Sequence, residues 1–267
     1  MLLSTPCRVE QQGTERHRRR IRTAEPRAAG SPAGSVGGGS VAPHVRRTAG
    51  ARWHIEEREY ERQKSRRGRR HAYERLDPAR TALVVVDMVG FFVEENPYCR
   101  GIVPNVNRLA GALREAGGTV AWVLPGRPER TVVGDEFYGP AVAEMFRNSG
   151  GSGPLRDRLW PELEFRDGDL LVEKTAASAF FPGRSPLPAL LDGIDTVLIT
   201  GTVTNVCRES SARDASTLGF RVIMLADANA ARRDQDHNAT LYTIYRTFGD
   251  VRTTPEVLDL ISQAGER

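Results

Sequence analysis

Three polar residues in this sequence stand where covalent chemistry is readily performed: Cys207, Lys174 and Asp87. Cys207 follows the apolar run Thr196-Val-Leu-Ile-Thr-Gly201 and the turn Thr202-Val-Thr-Asn205, with Thr204 or Asn205 as helix cap, so it falls in the first turn of a helix. Unpaired backbone N–H groups and the positive end of the helix dipole favour a thiolate there. The same groups can hold an oxyanion formed at an attacked carbonyl. The chemistry this suggests is attack by sulfur on a carbonyl carbon. The competing reading is a structural cysteine packed at a helix start.

Asp87 ends Ala82-Leu-Val-Val-Val86, the most apolar strand-like run in the chain, where a carboxylate is costly unless it is paired or functional. Its plain alternative is a cap or turn former. Lys174 is one of only two lysines, with Lys64, in a sequence that writes its other fixed positive charges as Arg. A lysine at that place points to a need for a compact ammonium, against the alternative of a snorkelling surface side chain. Together the three divide the labour of acyl transfer. Asp87 takes the thiol proton and returns it to a leaving nitrogen, while Lys174 supports the ionised groups and lowers the pKa of the nucleophile.

The three side chains can meet only if the segments carrying them are strands of one sheet. Apolar, β-branched runs at 82–86, 119–124, 169–173, 196–200 and 221–226, with a last one at 250–253, alternate with helical stretches at 103–116, 186–191, 206–218 and 236–247. Continuous apolar runs mark strands covered on both faces. Their alternation with helices predicts right-handed βαβ units and an α/β fold: three layers, doubly wound, around a mainly parallel six-stranded sheet. Ligands of such sheets bind at the carboxyl ends of the strands, where all three candidates fall. The section from 126 to 168 is less regular, and its Asn148-Ser-Gly-Gly-Ser-Gly153 run reads as a flexible loop that shapes or covers a pocket.

Charge separates the chain into two parts. Residues 1–80 hold 19 Lys/Arg against 9 Asp/Glu, and residues 81–267 hold 19 against 25, within a net charge of +4. Residues 1–52 read as a basic, disordered tail containing Gly, Pro and Ser. Residues 53–267 form the folded domain, with 53–76 as a helical arm anchored by Trp53, Ile55, Tyr60 and Tyr73. The acidic balance of the folded part speaks against nucleic acid as its partner. The first residues lack the apolar core of a secretory signal, and no stretch approaches the roughly 18 apolar residues of a membrane span. Three cysteines, Cys7, Cys99 and Cys207, without metal-ligand spacing, fit reduced thiols and a cytoplasmic location with no membrane partner. A G-x-S-x-G elbow, a Walker loop and a G-x-G-x-x-G after a strand are all missing.

Four segments carry a family resemblance: Ala82-Leu-Val-Val-Val-Asp-Met-Val-Gly-Phe-Phe92, Glu173-Lys-Thr-Ala-Ala-Ser-Ala-Phe180, Gly201-Thr-Val-Thr-Asn-Val-Cys207 and Glu209-Ser-Ser-Ala-Arg-Asp-Ala215. From about Thr81 to Ile261 the chain resembles the isochorismatase-like cysteine hydrolases, which include nicotinamidase, carbamoylsarcosine amidohydrolase and ureidoacrylate amidohydrolase. The resemblance implies a catalytic triad of Asp87, Lys174 and Cys207 that works through a thioester on the cysteine. It also implies a cis peptide between Thr202 and Val203, with the Val203 and Cys207 amides as oxyanion hole. Phe92 matches a pocket aromatic, and Phe180 is expected beside it, with ordinary core packing as the alternative for both.

Two departures from the family pattern matter. Val89 stands where many members have Gln, and residues 88–130 contain no His, whereas the nicotinamidase branch has an Asp-x-His metal site there. No metal and no cofactor are therefore expected, and His237 reads as a structural or surface residue. The implied function is hydrolysis of a C–N bond in a small amide, ureide, carbamoyl compound or lactam. The alternatives are hydrolysis of an isochorismate-type vinyl ether, against which Cys207 argues, and a non-catalytic interaction protein on the same scaffold. Relatives of this kind also imply a homo-oligomer, a dimer or tetramer.

Overall fold

An unbroken run of apolar and β-branched side chains suits a strand with no solvent face, and Thr81–Val86 (β1) is buried at all six positions. The computed structural model describes residues 52–265; the tail expected over 1–52 lies, apart from Arg52, outside them. Around β1 are arranged Thr119–Pro125 (β2), Leu170–Lys174 (β3), Thr196–Thr202 (β4), Arg221–Ala230 (β5) and Asp250–Arg252 (β6). The order across the sheet is β3-β2-β1-β4-β5-β6, and every pairing is parallel.

Alternation of side chains along β1 divides the core into two layers. Leu83 and Val85 pack with Val106, Leu109 and Leu113 of the helix Val103–Glu115 and with Val257 and Ile261 of the helix Thr254–Gly265. Ala82, Val84 and Val86 pack on the other side with Ala212 and Ala215 of the helix Glu209–Thr217 and Leu241 of the helix Asp234–Thr243. Ile55 and Tyr60 of the N-terminal arm belong to this second layer. Tyr60, on the helix Glu57–Arg67, meets the Tyr245 ring edge-on at 5.0 Å, and the Arg70 guanidinium stacks 3.6 Å above it.

The chain steps from β1 outward to β2 and β3, then returns across the sheet to pair β4 with the free side of β1. At such a reversal the connections leave the strand ends in opposite directions and open a crevice. The section from 126 to 168 is more helical than its sequence suggests. It contains the helices Val132–Tyr138, capped by Thr131 Oγ1 accepting from Gly134 N–H at 3.1 Å, and Pro140–Arg147. Among the described residues no helix is long and apolar enough to cross a membrane.

Candidate active site

Asp87 is the residue at which β1 gives way to a loop, and its φ of 58° puts it in the left-handed region. Aspartate tolerates that region better than most side chains, yet a non-glycine residue held there costs about 1–3 kcal/mol. Two bonds fix it: its N–H donates to Val123 O at 2.8 Å, and its carbonyl accepts from Thr202 Oγ1 at 2.9 Å. The carboxylate is thereby aimed into the crevice beside β4, and its side chain is 1% exposed.

Lys174 closes β3, two strands away, and reaches across the end of β2. Its Nζ lies 3.0 Å from Asp87 Oδ2 and donates to Ala176 O at 3.0 Å. A second cation, which the sequence reading missed, shares the same oxygen. Arg208, fully buried, places Nη2 3.3 Å from Asp87 Oδ2. Its Nη1 donates to the Val86 carbonyl and, at 3.3 Å, to that of Thr200.

Cys207 lies in a π-helical turn, Thr204–Arg208, that precedes the α-helix Glu209–Thr217. The single helix expected over 206–218 is thus two pieces. The thiol is 9% exposed, and its pKa is pushed up to about 12. Burial is the main cause and the charge of Asp87 adds to it, while Lys174 and Arg208 pull the other way. Desolvation and the neighbouring carboxylate thus oppose the thiolate that the helix start alone would favour.

Asp87, Lys174 and Cys207 line one cavity of ≈ 800 Å³. Phe91, Phe92, Tyr138, Met145 and Phe146 give it apolar walls, and Asn205, Arg232 and Asp236 are among its polar lining. Val203 and Cys207 also border it, and the Thr202–Val203 peptide is cis. Phe92 does line the cavity. Phe180 does not: it has no exposed surface, belongs to the core layer on the β1 face of Val84, and meets the Phe220 ring at a tilt with centroids 5.6 Å apart. A ring directed into the sheet cannot also reach the crevice at the strand ends.

His237 is buried and works as a strut for the cysteine turn. Its Nε2–H donates to Ala226 O at 3.0 Å, which leaves Nδ1 to accept from Thr204 Oγ1 at 2.9 Å. Among the described residues no three His, Cys, Asp or Glu side chains gather as a metal site. Ser211 Oγ donates to Cys207 O at 2.6 Å and accepts from Ala179 N–H at 2.9 Å, tying the helix after the nucleophile to the loop after Lys174.

The family profile described as the isochorismatase domain matches residues 81–256. The chain belongs to the isochorismatase family. Among its relatives is an uncharacterized isochorismatase family protein, YwoC, of Bacillus subtilis, 32% identical over 187 residues, which cover 70% of this chain and 96% of the relative. The ureidoacrylate amidohydrolase RutB of Agrobacterium fabrum is 32% identical over 215 residues, covering 71% and 93%. Among solved structures, a cysteine hydrolase from Pseudomonas syringae pv. phaseolicola superposes with a TM-score of 0.60 at 29% identity, covering 73% of this chain and 97% of its own. The N-carbamoylsarcosine amidase of Thermoplasma acidophilum gives 0.54 at 26%, covering 66% and 96%. This isochorismatase-family chain therefore shares its layered sheet with hydrolases along almost their whole length.

Proposed function

We propose that this isochorismatase-family hydrolase cleaves the C–N bond of a small amide, ureide or lactam through a thioester on Cys207. The observation that carries the reading is the meeting of Asp87, Lys174 and Cys207 in one cavity, with the carboxylate buried against the ammonium. The amidohydrolase and amidase among its relatives support the same bond class. Burial and the charge of Asp87 push the Cys207 pKa up, which favours loss of the proton to Asp87 as sulfur attacks.

In the first step the Cys207 Sγ proton passes to the Asp87 carboxylate and sulfur bonds to the carbonyl carbon. The negative charge that develops on oxygen is met by the backbone N–H groups of Val203 and Cys207. Collapse breaks the C–N bond, and Asp87 returns the proton to the departing nitrogen. Water then attacks the thioester, giving one proton to Asp87. The C–S bond breaks, the acid departs, and the proton restores the thiol. Lys174 holds the Asp87 carboxylate in place through the steps, and Phe92 offers a flat apolar surface to the substrate.

A panel of carboxamides, ureido acids, carbamoyl amines and lactams, assayed for release of ammonia or amine, tests the proposal. Hydrolysis by the wild type that Cys207→Ala abolishes is the expected result. Cleavage of a vinyl ether that survives alkylation of Cys207, with no amide consumed, would favour the ether-hydrolase alternative. A chain inert to the whole panel and to alkylation would favour the interaction protein.

A further inference from the structure

Arg208 directly follows the nucleophile, yet its side chain does not leave with the helix surface. It turns inward, loses all contact with solvent, and touches two strands and the carboxylate that ends one of them. The space it occupies exists because residue 201 has no side chain. Gly201 sits at φ 112°, and a Cβ there would collide with Val86 O and with the guanidinium.

The distribution of charge on Asp87 is uneven. Lys174 Nζ and Arg208 Nη2 both bind Oδ2, at 3.0 Å and 3.3 Å, whereas Oδ1 is buried and has no hydrogen-bond partner among the described residues. An orphaned buried carboxylate oxygen is expensive, and so is a desolvated guanidinium. A clamp between β1 and β4 needs neither. Holding one oxygen with two cations while leaving the other bare makes sense if the bare oxygen has a partner that moves.

We propose that Arg208 is a positioning residue for the hydrolysis: with Lys174 it holds Asp87 through Oδ2, so that Oδ1 alone receives the Cys207 proton and passes it to the leaving nitrogen. The inference rests on the thioester reading above. It also sets the charge of the site. One carboxylate against two cations leaves a single positive charge in excess, which does not change when a proton moves from sulfur to Oδ1. That excess faces the negative charge that builds first on sulfur and then on the carbonyl oxygen.

Alkylation of Cys207 by iodoacetamide, followed across pH by mass spectrometry of the peptide that contains it, reads base-assisted reactivity without any substrate. Arg208→Met is expected to slow alkylation about tenfold or more. Arg208→Lys, which keeps a cation beside Oδ2, should restore the rate to within about threefold of wild type. A merely structural role would lower the melting temperature of both variants and leave the alkylation rate of the folded protein in place. A folded Arg208→Met protein with a rate within about twofold of wild type overturns the proposal. Where Arg208→Met does not fold, Arg208→Lys decides: a folded Lys variant slowed about tenfold or more overturns it. A wild-type Cys207 that never alkylates would instead sink the nucleophile assignment, so the two failures are told apart.

Discussion

Nζ of Lys174 lies 3.0 Å from Oδ2 of Asp87 although a whole strand, β2, separates the strands that carry them. The ammonium passes over the end of β2 to reach the carboxylate, and both side chains are buried. The pair is thus made at the rim of the sheet, beside the reversal in strand order where the cavity opens.

Because Arg208 shares Oδ2, the two halves of this pair are not equivalent. Asp87→Ala strands two buried cations and is expected to cost about 3–5 kcal/mol. Lys174→Met leaves the carboxylate paired with Arg208 and should cost about 1–3 kcal/mol. Urea unfolding of the two variants gives the order, and equal losses would contradict a shared carboxylate.

Ionisation of the thiol and catalysis should move in opposite directions on losing the base. Burial, then the charge of Asp87, hold the Cys207 pKa at about 12. Asp87→Asn removes the charge, so the thiolate absorbance should appear at lower pH, while hydrolysis falls by roughly 10²–10⁴-fold for want of a proton acceptor. An Asn variant with an easier thiolate and undiminished turnover would refute the base assignment.

His237 makes stability depend on pH in the acid range. Burial lowers its pKa from 6.5 to about 4, so between those values the unfolded chain binds a proton that the folded chain refuses. The contribution is fully present above 6.5 and is lost as pH falls toward 4, by about 3 kcal/mol. Unfolding free energies measured through this window should fall less steeply for His237→Gln than for the wild type. Parallel profiles would show that the imidazole is not held neutral.

Phe92 and Phe180 should separate binding from stability. Phe180→Ala opens a hole in a fully buried layer and is expected to cost about 3–5 kcal/mol, with KM of the folded fraction unchanged. Phe92→Ala alters the cavity wall and should raise KM while costing less stability. Thermal unfolding and steady-state kinetics on the hydrolysed amide check both, and a KM shift in Phe180→Ala would return that ring to the site.

The sheet is readable in the sequence because its strands are nearly pure apolar runs, and the ends of those runs point to Asp87 and Lys174. β5 extends beyond its apolar pattern, since Asn229 looks like a loop residue. Its amide is in fact buried, donating to Ile199 O at 2.8 Å and Leu225 O at 2.7 Å where the β4–β5 register shifts. The helix Thr254–Gly265 had a signal that went unread: Thr253 and Glu256 form a capping box, with Thr253 N–H donating to Glu256 Oε2 at 2.7 Å. The helices Val132–Tyr138 and Pro140–Arg147 are short and expose Val132, Val133, Phe137 and Phe146, so the rule of a buried apolar face hides them. Arg208 is hidden for another reason. Its burial depends on a glycine seven positions earlier and a carboxylate on another strand, and local sequence carries neither relation.

A covalent intermediate on Cys207 is directly observable. Mass spectrometry of the intact protein, quenched with acid while an amide is being hydrolysed, should show an added mass equal to the acyl portion. The adduct should map to the peptide containing Cys207 and be absent from Cys207→Ala. Steady hydrolysis with no adduct, undiminished in the Cys207→Ala protein, would contradict it.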